Sequence, residues 1–166
     1  IYSRVYVADR PELFLKATAA RCVGPFESIG IRGDSEWNVP EPELAFVIYG
    51  KKIIGYTAGN DVSSRSIEGE NPLYQAQAKQ YSKCCSIGPS FVPAPSVRDP
   101  QNLEIRCTII RDGKEIFSDS TSTSLMNRKL EDLVDWAKRH NTLPDMTTVL
   151  TGTSIVPPPE ITLGEG

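Results

Sequence analysis

The sequence is poor in the groups that build soft-metal and nucleic-acid sites. It contains one histidine, His140, and four cysteines, of which Cys84 and Cys85 are adjacent while Cys22 and Cys107 stand alone. That spacing supplies neither a Cys-x-x-Cys pair nor a disulfide framework, so a zinc site of nitrogen and sulfur ligands is not expected. Any metal should be hard and oxygen-bound. Free thiols of this kind suit a reducing, cytoplasmic compartment. There is no Lys/Arg-rich run, and 18 basic residues against 21 acidic ones leave a formal charge of −3. Binding to phosphate backbones or to anionic membranes therefore has no electrostatic basis. No stretch approaches the roughly 18 apolar residues of a membrane span, and Ile1-Tyr2-Ser3-Arg4 lacks the basic-then-apolar pattern of a signal peptide.

What is present fits one folded unit. The 166 residues, 39% of them hydrophobic, fall in the range of a single domain able to bury a core. Ile1 to Val7 has the composition of a strand, and Asp9-Arg10-Pro11-Glu12 resembles a helix start leading into Leu13-Phe14-Leu15-Lys16-Ala17. Two apolar runs, 44–49 and 53–57, flank Gly50-Lys51-Lys52 as in a hairpin. A second hairpin is expected where Leu103, Ile105, Cys107 and Ile109 alternate with polar residues before Asp112-Gly113. Leu130, Leu133, Val134 and Ala137 recur at helical spacing. Thr147 to Val156 reads as a strand running into Pro157-Pro158-Pro159. These elements make an α+β chain, predominantly β. Residues 1–166 read as a single catalytic domain, and sequence is expected to be missing at both ends, since Ile1 replaces an initiator methionine and Gly164-Glu165-Gly166 is a turn with nothing after it.

The chemistry concentrates at the first hairpin. Glu41 and Glu43 are two apart, so on a strand both carboxylates project from one face. Two such charges repel unless a cation holds them. Asp61, in Gly59-Asn60-Asp61-Val62-Ser63-Ser64-Arg65, leaves the end of the neighbouring strand and can complete a three-carboxylate facial site for a hard divalent ion. On its own, the Glu-x-Glu pair would read as a solvated strand end.

Four ordered blocks then give a specific resemblance: Glu41-Pro42-Glu43-Leu44-Ala45, Gly55 through Arg65, Lys79 with Gly88-Pro89, and Thr151-Gly152-Thr153. Together they are similar to the fumarylacetoacetate hydrolase family over nearly the whole chain. The resemblance implies a mixed β-roll or sandwich of that family's C-terminal domain with flanking helices, assembled as a homodimer or homotetramer. It implies that Glu41, Glu43 and Asp61 hold Mg²⁺, or Mn²⁺ or Ca²⁺ in its place, and that the metal chelates a small 2-oxo acid. Lys79, ten residues before Pro89, matches the family lysine and becomes the candidate base, its pKa expected to be lowered by the metal and by burial. Glu12 matches an acidic lid residue, with a helix-capping role as its plain alternative. Thr153 matches a threonine that binds the substrate carboxylate, and Arg65 an arginine that binds substrate or braces the loop.

The segments 9–18 and 65–74 resemble the branch that dehydrates 2-keto-3-deoxy-pentonates of the arabinonate or xylonate type to 2,5-dioxopentanoate. Ser66 and Glu68 depart from the wider pattern, where aspartate and glutamine are common. An acylpyruvate or fumarylacetoacetate type carbon–carbon hydrolase, or a decarboxylase or isomerase with the same metal site, is the alternative. Hydrolysis would need a histidine–carboxylate pair, and His140, at the end of the amphipathic helix, reads as a solvent-facing residue. A non-catalytic binding domain is the third reading, which has no use for the lysine.

Overall fold

The computed structural model describes residues 2–164; Ile1 and Glu165-Gly166, with the terminal turn read there, lie outside the described residues. In chain order the elements are α1 (Tyr2–Val7), β1 (Cys22–Val23), β2 (Asn38–Val39), β3 (Pro42–Tyr49), β4 (Lys52–Asp61), β5 (Ser63–Ser64), α2 (Arg65–Glu70), α3 (Gln75–Lys79), β6 (Cys85–Pro93), β7 (Glu104–Arg111), β8 (Lys114–Ser122), α4 (Leu130–Lys138) and β9 (Thr147–Leu150). Strands dominate, with helices on the periphery, as the α+β reading expects. No helix among the described residues is long and apolar enough to cross a membrane.

The main sheet has the order β1-β6-β4-β3-β9, in which only β1 and β6 run parallel. Its centre is the hairpin β3–β4, whose register sets Glu43 opposite Gly59 and Pro42 opposite Asn60. Alternation along β3 sends Leu44, Phe46 and Ile48 to one face, where they pack with Tyr56 against Leu130, Leu133 and Val134 of α4. Glu43 belongs to the other set, so the apolar core and the carboxylates lie on opposite faces of one strand. Both sets are buried. On the carboxylate side a side chain at position 59 would collide with Leu150, its Cβ falling 2.9 Å from Leu150 Cγ. Glycine there lets β9 close over the strand ends. The second hairpin, β7–β8, turns at Asp112 and Gly113, both at positive φ, as the Asp-Gly pair requires.

Three expectations are corrected. The opening segment is helical over Tyr2–Val7, tied down by Tyr6 Oη donating to Leu125 O at 2.8 Å and Asn127 Nδ2 donating to Tyr6 O at 2.7 Å. These bonds override the strand preference of its valines and tyrosines. Residues 11–18 form no helix despite the capping pattern; they run as an irregular strap whose polar groups bond to α3, to Gln80 after it and to Val62 after β4. The strand from Thr147 stops at Leu150, because Thr151 turns both its N–H and its Oγ1 onto Leu44 O and Gly152 takes φ +85°. Strand β6, which completes the sheet beside β4, is an addition that the sequence reading lacked.

Candidate active site

Glu41, Glu43 and Asp61 each offer a carboxylate oxygen within 4.8 Å of the others'. The side chains meet because the chain entering β3 and the chain leaving β4 are neighbours: Asp61 N–H donates to Glu41 O at 2.9 Å, and Glu41 N–H donates to Asn60 Oδ1 at 3.0 Å. All three residues are at most 5% exposed. Such a cluster of anions is stable only with cations around it.

Three basic residues supply them. Lys79, at the C-terminal end of α3, has an ammonium 2.7 Å from Glu41 Oε2, 3.1 Å from Asp61 Oδ2 and 2.7 Å from Ser63 Oγ, which uses all three of its N–H bonds. Arg65 Nη2 lies 2.8 Å from Glu41 Oε1, and its Nη1 lies 3.4 Å from Glu68 Oε2. Lys16 Nζ lies 2.7 Å from Asp61 Oδ1 and donates to Val62 O and Lys79 O. Glu68, at the position of a common glutamine, thus braces Arg65, while Ser66 is engaged with Ser35.

The other residues singled out from the sequence are nearby but differently used. Glu12 is exposed and accepts a hydrogen bond from Gln75 Nε2, at the start of the helix that ends in Lys79. Thr153 Oγ1 accepts from Ile155 N–H at 3.1 Å, while the adjacent Gly152 N–H donates to Glu43 Oε2. His140 is exposed beyond α4, at φ +54°, and takes no part in the cluster. Lys16, Ser63 and Gln75 were not singled out in the sequence. The one local signal for Lys16 is a cation inside the otherwise apolar run 13–17, and for Ser63 its two-residue spacing from Asp61.

The electrostatics distinguish Lys79 from Glu43. Burial pushes the Lys79 ammonium down, but the charges of Glu41 and Asp61 outweigh it and hold the pKa above the ordinary lysine value. The lowering expected from the sequence belongs to the site with a cation bound; burial contributes to it, and the charges of Glu41 and Asp61 oppose it. Glu43 moves the other way: burial, reinforced by the Asp61 charge and opposed by the Gly152 N–H, raises it to about 8. The metal-free cluster therefore keeps a proton at neutral pH. A carboxyl whose folded pKa lies above its unfolded value binds more protons when folded, so stability is full below the unfolded value and falls as pH rises. Between about pH 4.5 and 8 the metal-free protein is expected to lose stability at up to about 1.4 kcal/mol per pH unit from this group. Denaturant unfolding in EDTA across that range, compared with Glu43→Gln, measures it; a slope unchanged by the substitution would assign the proton elsewhere.

The cluster fits a hard divalent cation. Its donors are all carboxylate oxygens, and Glu41 Oε1 and Asp61 Oδ1 are buried without a hydrogen bond of acceptable geometry, each beside a basic group only. Burial first, and the Asp61 charge second, favour a proton on Glu43, a place that a divalent cation would take instead.

Comparison with known proteins points the same way. A family model described as fumarylacetoacetate (FAA) hydrolase C-terminal matches residues 3–162. The chain is 57% identical to a probable 2-keto-3-deoxyxylonate dehydratase of Haloferax volcanii, over 100% of this chain and 57% of that protein. It is 49% identical to a 2-dehydro-3-deoxy-D-arabinonate dehydratase of Saccharolobus solfataricus, over 95% of this chain and 53% of that one. Among solved structures, 2-keto-3-deoxy-D-arabinonate dehydratase complexed with magnesium and 2,5-dioxopentanoate superposes with a TM-score of 0.96 at 47% identity, covering 99% of this chain and 59% of that one. The chain spans less than two thirds of the length of each of these relatives.

Proposed function

The chain belongs to the fumarylacetoacetate hydrolase family, and on that premise we propose that it dehydrates a 2-keto-3-deoxy-pentonate, of the arabinonate or xylonate type, to 2,5-dioxopentanoate with the help of Mg²⁺. The observation that carries the reading is a buried lysine bonded to two members of a three-carboxylate cluster, in a chain about half identical to pentonate dehydratases. Glu41, Glu43 and Asp61 are the proposed metal ligands. A divalent ion held there supplies Lewis acidity toward the 2-oxo oxygen, making the carbon 3 proton acidic.

The rest falls to the chain's own residues. Lys79 Nζ is the proposed acceptor of the carbon 3 proton. The two carboxylates that now hold it protonated are also proposed metal ligands, so their charge is shared once a cation binds, and the burial that lowers its pKa counts for more. Glu12, on the strap bonded to α3, is the proposed donor of a proton to the departing carbon 4 hydroxyl, so that one water leaves. The unsaturated product rearranges through an enol to the aldehyde. Arg65 braces Glu41, and Thr153 is the proposed contact for the substrate carboxylate. No histidine lies in the cluster, which favours elimination over hydrolysis for the groups that this chain supplies.

We place the enzyme in the cytoplasm, a reading supported by four free cysteines, as one catalytic domain in a homodimer or homotetramer, supported by exposed apolar residues such as Phe26 and Leu73. The test is an assay of the full-length protein on both epimeric 2-keto-3-deoxy-pentonates and an acylpyruvate. Formation of 2,5-dioxopentanoate that stops with EDTA and returns with Mg²⁺ is expected. Acylpyruvate cleavage alone would overturn the dehydratase.

A further inference from the structure

We infer that Lys16 is a positioning residue that fastens the strap carrying Glu12 and Phe14 to the metal-site carboxylate Asp61 and to the backbone of Lys79. Naming Glu12 and Lys79 as acid and base rests on the dehydratase reading; the anchoring itself rests on geometry.

Residues 11–18 have no secondary structure to hold them, and beyond the buried Pro11 their large apolar side chains contribute little: Leu13, Phe14 and Leu15 are 41–63% exposed. Polar bonds do. Gln75 Nε2 donates to Glu12, Gln80 Nε2 donates to Leu15 O at 2.6 Å, and Cys84 Sγ approaches Lys16 O at 3.9 Å. The first two reach only α3 and the residue after it. Lys16 alone among these side chains crosses to the end of β4, where Nζ donates to Val62 O at 2.8 Å and pairs with Asp61 Oδ1 at 2.7 Å while also donating to Lys79 O. Two of its donors are thereby spent on backbone carbonyls and its charge on the Asp61 carboxylate, and its side chain is 10% exposed. A single buried ammonium thus ties together the strap, the C-terminal end of the Lys79 helix and a carboxylate of the cluster. It also brings the Phe14 ring to 5.8 Å from Lys79 Nζ.

The same contact has an opposite consequence for metal binding. Lys16 places a positive charge on an oxygen of Asp61, one of the three carboxylates that a divalent cation would share. The anchor opposes the cation by charge repulsion while holding the acid in place. Losing it should therefore loosen the strap and tighten the metal, a combination that general damage to the fold does not produce.

The test compares Lys16→Met and Lys16→Arg with the parent in the full-length protein. Chymotrypsin digestion of the metal-free protein reads the strap at Leu13, Phe14 and Leu15; calorimetry with Mg²⁺ reads the site; kcat and KM read the reaction. For Lys16→Met, cleavage in the strap is expected about tenfold faster and Mg²⁺ binding about three- to tenfold tighter. A kcat about 100-fold lower is expected, with KM changed far less. Lys16→Arg, which keeps the charge, should retain most of the protection. Parental cleavage in Lys16→Met, or weakened Mg²⁺ binding, would overturn the inference. Should Lys16→Met not fold, Lys16→Gln carries the same expectations. The digestion and calorimetry decide the anchor even if the parent dehydrates neither pentonate, so the two readings fail separately.

Discussion

Replacing Lys79 by methionine is expected to lower kcat for dehydration by about 1,000-fold, within the span that a general base contributes, while KM for the 2-oxo acid changes by only a few-fold. Methionine keeps much of the stem and removes the three donors that now reach Glu41, Asp61 and Ser63. Two effects then separate the base from a charge balancer. The metal-free variant loses a buried cation between two carboxylates, which costs on the order of 3–5 kcal/mol of stability. Mg²⁺ binding should tighten at the same time, since the ion no longer shares those oxygens with an ammonium. With metal bound, a charge-balancing Lys79 would be dispensable and kcat would recover; a base would not. Steady-state kinetics at saturating Mg²⁺, with unfolding measured in EDTA, distinguishes the two. A kcat within tenfold of the parent would move the proton acceptor elsewhere.

Why the sequence disclosed the carboxylates and not the strap follows from where each gets its order. Glu41 and Glu43 share a face because strand alternation is local, and Asp61 meets them because a tight hairpin returns it to the same end. Hairpin β7–β8 and helix α4 were legible for the same reason, through Asp112-Gly113 and the Leu130–Leu133–Val134 spacing. Lys79 was found only by its place among motifs, since nothing local distinguishes it from a surface lysine. The strap shows the limit. Asp9-Arg10-Pro11-Glu12 has the composition of a capped helix, yet the acceptors of Lys16 lie 46 and 63 residues away and Glu12's partner lies 63 away. Those bonds exist only after β4 and α3 have assembled, and they outweigh a helix start worth roughly 1 kcal/mol. Tyr2–Val7 fails in the same way: its strand-like residues are helical and are held by a loop more than a hundred residues on. For Lys79 the sequence supplies the burial that lowers its pKa but not the fact that two carboxylates converge on one ammonium.

Asp61→Asn is expected to weaken Mg²⁺ binding by well over 100-fold, more than the roughly 10–100-fold that follows loss of a group which merely supports a metal ligand. The amide keeps the shape of the side chain and removes its charge, leaving two carboxylates in the cluster. Lys16 and Lys79, both now within 3.1 Å of Asp61 oxygens, would then face a neutral amide. Glu43 provides the contrast. Held at about 8, it carries a proton in the metal-free protein at pH 7, so Glu43→Gln should cost little stability in EDTA while still removing a ligand. Asp61→Asn should cost stability and metal affinity together. For the parent, Mg²⁺ at 100 times its Kd adds about 2.7 kcal/mol of stability; in Asp61→Asn the same concentration should add almost none, and turnover should vanish with it. Chymotrypsin should also find the strap more open, since Lys16 loses its charged partner and keeps only Val62 O and Lys79 O. An Asp61→Asn protein with parental Mg²⁺ binding would remove the metal from this cluster, and the proposed dehydration would lose its Lewis acid and with it the acidity of the carbon 3 proton.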